Sequence, residues 1–84
     1  MDDIIVHPHS LKHGLTKEDV AYAWNNFARK RPRGDDYWVA LGFDGKGREV
    51  ELVAAVLADG TLLLIHAKTP ATKKFKKELG YGRR

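Results

Sequence analysis

The chain has 84 residues, 43% hydrophobic and 31% charged, which points to one globular domain with a modest core. It has no cysteine, so a disulfide framework, a thiolate zinc site and a cysteine nucleophile are excluded. The formal charge of +4 is clustered: residues 1–28 carry −2, Arg29 to Arg33 carry +4, residues 34–65 carry −4 and residues 66–84 carry +6.

Taken in chain order, the opening MDDIIVHPHS is acidic and lacks the basic-then-apolar order of a signal peptide. Every apolar run is far shorter than a membrane span, so a cytoplasmic protein with no membrane partner is expected. Ile4-Ile5-Val6 reads as a brief edge strand or an extended arm. Thr16 is a helix N-cap ahead of Glu18 and Asp19, whose charges suit the positive end of a helix dipole. From about Lys17 to about Lys30, Val20, Ala23, Trp24 and Phe27 recur at three- and four-residue steps, an apolar stripe facing a core. Pro32 and Gly34 end that helix and leave Arg29, Lys30, Arg31 and Arg33 as a basic loop.

Period-2 alternation from Asp36 to Phe43 predicts a strand. Asp44-Gly45-Lys46-Gly47 supplies a hairpin turn, a second strand runs from about Arg48 to Ala58, and Asp59-Gly60 turns into a third from Thr61 to about Lys68. Thr69-Pro70 reads as N-cap and first residue of a closing helix to Leu79, stopped by Gly80. Ala71, Phe75 and Leu79 make its buried stripe, and Lys73, Lys74, Lys76 and Lys77 crowd the rest. The predicted fold is α+β: a three- to four-stranded antiparallel meander packed with an N-terminal amphipathic helix and a basic C-terminal helix, spanning residues 1–84 as a single domain.

The four histidines match no compact zinc spacing, so neither a metal nor a cofactor is expected. By alternation His66 shares a face with Leu62 and Leu64, as a hydrogen-bonded half-buried residue or as a group poised for proton transfer. Lys12-His13-Gly14 is an exposed turn or a pair of side chains held beside the first helix. The Gly-x-Gly before Arg48 lacks the strand-to-helix context of a nucleotide loop. No protease or glycosidase arrangement is present. Histidine, lysine and arginine do suffice to cleave RNA through its own 2′-hydroxyl, which needs a base, an acid and cations against the phosphorane. The clustered charge favours a polyanion if the basic segments meet in space, whereas lysines that only solvate a helix are the plainer alternative.

The motif order Lys12-His13-Gly14, Glu18-Asp19-Val20, Leu41-Gly42 through Gly47-Arg48, and Ile65-His66-Ala67-Lys68 ahead of Ala71-Thr72 resembles the BrnT-type toxins. These belong to the RelE-like superfamily of bacterial toxin and antitoxin systems, and the likeness runs from about Lys12 to Leu79. The resemblance implies a metal-independent endoribonuclease restrained by a cognate antitoxin. It carries candidate roles to Lys12, His13, Arg48, Lys68 and Thr72, while His66 is added on its own chemistry. His13, Arg48, His66 and Lys68 are thus the expected catalytic set. Lys12, Arg29, Lys30, Arg31, Arg33, Thr72, Lys73, Lys74 and Lys77 are the expected RNA contacts. Two departures stand out: Lys68 replaces the arginine usual after Ala67, and an extra residue, with Pro70, precedes Ala71-Thr72. A non-catalytic module that binds nucleic acid or a protein partner is the alternative, and the modest core with Ile4-Ile5-Val6 leaves room for a homodimer.

Overall fold

The computed structural model describes residues 4–11 and 13–81, so the expectation for Lys12 lies outside the described residues. Five strands, β1 (Ile4–Val6), β2 (Phe27–Arg33), β3 (Tyr37–Phe43), β4 (Glu49–Val56) and β5 (Leu62–Lys68), form one sheet in the order β1-β5-β4-β3-β2. Strand β1 lies parallel to β5, and every other pairing is antiparallel. This corrects the expected three- to four-stranded antiparallel meander: the sheet has five strands and is mixed. Both flanks of the meander gain a partner: Ile4-Ile5-Val6, expected as an edge strand or an extended arm, joins β5 in parallel, and Phe27–Arg33, expected as helix end and loop, joins β3.

The first helix, α1 (Lys17–Asn25), begins with a reciprocal capping box: Thr16 Oγ1 accepts from the Asp19 N–H and Asp19 Oδ2 from the Thr16 N–H, both at 3.0 Å. It stops at Asn26, short of the expected Lys30, and the segment read as a basic loop is β2. Gly34, at φ +67, makes the β2–β3 turn. Within β2, Arg29, Arg31 and Arg33 stand opposite Leu41, Val39 and Tyr37. Alternation therefore sends the three arginines to one face, which a helix would not do.

Two apolar layers cover the two faces of the sheet. Val20, Ala23 and Trp24 of α1 pack with Ala40, Val50, Leu52, Ala54, Leu62 and Leu64. At Gly42 a Cβ atom would fall 2.0 Å from the Ala23 carbonyl oxygen, so α1 rests directly on the β3 backbone. The other face carries Val39, Leu41 and Val53 under Ala71, Phe75 and Leu79. The latter belong to and flank α2 (Lys73–Glu78), whose N-cap is Thr72, accepting from the Phe75 N–H at 3.2 Å. Thr69 is not the cap, because its hydroxyl is committed to the Glu49 carbonyl.

A bulge in β5 decides what faces α2. Ala54 pairs with Leu64 but Val53 pairs with His66, so Ile65 is the extra residue. His66 thereby leaves the face of Leu62 and Leu64 on which simple alternation puts it, and joins Val53, Glu51 and Lys68 on the α2 side. No helix among the described residues is long and apolar enough to cross a membrane.

Candidate active site

Between α2 and the sheet lies an open cleft of about 430 Å³ with Arg33, Glu51, His66, Thr72, Lys74 and Glu78 among its lining groups and Val53, Ile65 and Phe75 as apolar walls. Its centre is Glu51, only 5% exposed and set between Val50 and Leu52 in β4. The Glu51 carboxylate accepts from the Thr72 N–H at 2.8 Å and from the Thr72 hydroxyl at 2.9 Å, both through Oε1. Its other oxygen, Oε2, lies 2.7 Å from His66 Nε2. Burial pushes the Glu51 pKa up, but the hydrogen bonds from Thr72 and His66 outweigh it and hold the carboxyl below its ordinary 4.5.

An ionised carboxylate only accepts, so His66 donates from Nε2. When the imidazole is neutral, Nδ1 then holds the lone pair. The His13 ring meets His66 edge-on, with centroids 5.8 Å apart, which brings the turn before α1 to the same ring. A pair of imidazoles, one anchored by a carboxylate and one exposed, can divide the taking and giving of a proton. Lys68 stands opposite Glu51 in the β4–β5 ladder, on the cleft face of the sheet.

The three arginines of β2 fasten the far end of α2. Arg29 donates to the Leu79 carbonyl at 3.2 Å, with its guanidinium 4.2 Å from the Tyr81 ring centre, and Arg31 donates to the Glu78 carbonyl at 3.0 Å. Carbonyls left over at a helix C-terminus are the natural acceptors for such cations. Arg33 grips the Glu78 carboxylate through two bonds, 2.8 and 2.6 Å. Its hydrogen bonding holds the Glu78 carboxyl below the ordinary carboxylate range.

The expected residues thus divide. His13, His66, Thr72, Arg33 and Lys74 gather at or beside the cleft. Arg48 does not: its Nε lies 2.6 Å from Asp44 Oδ2, and Asp44 also accepts from the Lys46 and Arg48 N–H groups to close the β3–β4 turn. Lys30 points to the opposite face, with Nζ 4.9 Å from the Trp24 ring centre, 4.4 Å from that of Phe27 and 5.7 Å from that of Trp38. Lys73 and Lys77 line an outer groove of α2 with Lys76 and Tyr81. Sequence reasoning passed over Glu51 and Glu78. A carboxylate inside the apolar run of β4 was the available signal for Glu51, because such a residue needs buried partners.

Among the described residues no three His, Asp or Glu side chains converge as metal ligands. Comparison with family models, curated proteins and solved structures finds no match to this chain.

Proposed function

We propose that the chain is a metal-independent endoribonuclease of the BrnT-like toxin type, acting in the cytoplasm and restrained by a cognate antitoxin. The observation that carries the reading is the His66 Nε2 contact with buried Glu51 Oε2 at 2.7 Å, in an open cleft that also holds Arg33 and Lys74. A neutral His66 takes the proton of an RNA 2′-hydroxyl through Nδ1. The 2′-oxygen attacks phosphorus, the bond to the 5′-oxygen breaks, and that oxygen leaves with a proton from His13. Lysine and arginine offset the charge that develops on the phosphorane oxygens. Glu51 acts by positioning, since its carboxylate holds Nε2 and so orients the ring.

Incubation of purified protein with single-stranded RNA in excess chelator tests this. Cleavage that leaves 2′,3′-cyclic ends and disappears in His66→Ala is expected; intact RNA across the neutral pH range would sink the proposal.

The second reading is a nucleic-acid-binding module that does not cut. Its specific support is the commitment of Arg48, a member of the expected catalytic set, to Asp44 in the β3–β4 turn, away from the cleft. Salt-dependent RNA binding without cleavage is the outcome that separates it from the first.

A further inference from the structure

The Arg33 guanidinium and the Glu78 carboxylate meet as a two-bond fork within the cleft that contains His66. A fork of this geometry fits two oxygens of a phosphate as well as it fits two of a carboxylate. We infer that Arg33 and Lys74 form a phosphate subsite whose internal occupant is Glu78, so that RNA binds by taking Arg33 away from Glu78. The inference rests on the reading of the cleft as an RNA site and adds what restrains that site from within.

Three observations support an exchange rather than a permanent structural pair. The two side chains are 45% and 34% exposed, and ion pairs this wet hold weakly because water and salt compete for both partners. Once released, the Glu78 carboxylate can be hydrated in place. The docking of α2 does not hang on this pair either: Arg31 and Arg29 hold the Glu78 and Leu79 backbone carbonyls, and Phe75 and Leu79 are buried. Lys74 lines the same cleft as Arg33 and Glu78, which places a second cation beside the arriving phosphate.

Binding of a single-stranded oligodeoxynucleotide, followed by fluorescence anisotropy, tests the inference without relying on cleavage, since the probe has no 2′-hydroxyl. Glu78→Gln should bind roughly fivefold more tightly than the wild type, the ratio that matches the upper end of an exposed pair. The gain should vanish in the Arg33→Ala/Glu78→Gln double variant. Glu18→Gln, which makes the same change in net charge at the exposed start of α1, should not reproduce it. Unchanged affinity in Glu78→Gln, a gain that survives without Arg33, or an equal gain in Glu18→Gln overturns the inference.

Parallel incubation with RNA separates the two proposals. Cutting without a Glu78→Gln gain sinks the subsite alone. A gain without cutting by any variant leaves the subsite standing and removes the catalytic reading.

Discussion

His66 and Glu51 meet diagonally across the β4–β5 ladder, their side chains 2.7 Å apart on the α2 side of the sheet, because one extra residue, Ile65, turns the imidazole away from the α1 side. With simple pairing, His66 would lie among Leu62 and Leu64, and Glu51 would have only Thr72 to balance its burial. Deleting Ile65 removes the bulge but leaves His66 directly after Leu64 and still opposite Val53, so the imidazole should stay on the α2 side with Glu51. Retained cleavage is the expected result; loss of cleavage in a variant that still folds would show that the bulge positions the ring by more than the side it selects.

Substitutions at the pair should act unequally. His66→Ala removes the proton carrier and should lower the cleavage rate by about 10²- to 10⁴-fold, the usual range for general acid–base groups. Glu51→Gln keeps the shape and one acceptor but not the charge, so kcat should fall while KM changes little. A KM effect with unchanged kcat would place Glu51 in substrate binding instead.

Acid should loosen the fold through two carboxylates. Burial opposes the charged form of Glu51 and of Asp44, yet hydrogen bonds to Thr72 and His66, and to Arg48 and Lys46, win and lower both pKa values from 4.5 and 3.8. The unfolded chain therefore binds more protons at acid pH, and stability is lost as pH falls through the lowered folded-state values. Their contribution is fully present above about pH 5. Urea midpoints should drop with pH below that point, and less steeply in Glu51→Gln; parallel curves for the two proteins would contradict the assignment.

Gly42→Ala tests the seat of α1. The added methyl meets the Ala23 carbonyl at 2.0 Å, and backbone cannot step aside as a flexible side chain does. The helix must shift, at a cost of about 1–3 kcal/mol or more. Thermal melting reads it directly, and an unchanged midpoint would mean that α1 is less tightly docked than this contact implies.

Thr72→Val is nearly isosteric but loses a helix cap and one bond to Glu51 together. A loss of about 1–2 kcal/mol is expected from the cap alone. Faster amide exchange in α2, which is only six residues long and too short to persist unaided, should accompany it.

Much of the local structure is legible in the sequence, because it follows from near-neighbour rules. The Thr16 cap, the apolar stripe of Val20, Ala23 and Trp24, and the two turns at Asp44-Gly45 and Asp59-Gly60 all lie within a few residues of what they control. The helical stripe misleads at Phe27, which continues the spacing but begins a strand: pairing with β3 outweighs a weak local preference. The same difficulty hides Thr72, since Thr69 offers an equally good cap in sequence and only the contact with Glu49 removes it.

Residue chemistry by itself determined the clustered cations, the absence of thiol chemistry and the candidacy of His66, while the resemblance in motif order supplied that of His13 and Lys68. Only the tertiary structure decided which of the cations meet. It sent Arg33 and Lys74 to the His66 cleft, tied Arg48 to its own hairpin, turned Lys30 to the far face, and supplied Glu51 as the carboxylate partner of His66 and Glu78 as that of Arg33. The reason is range: helix caps and turns are set by neighbours a few residues away, whereas Arg33 and Glu78 meet across 45 positions of chain, which local spacing does not encode.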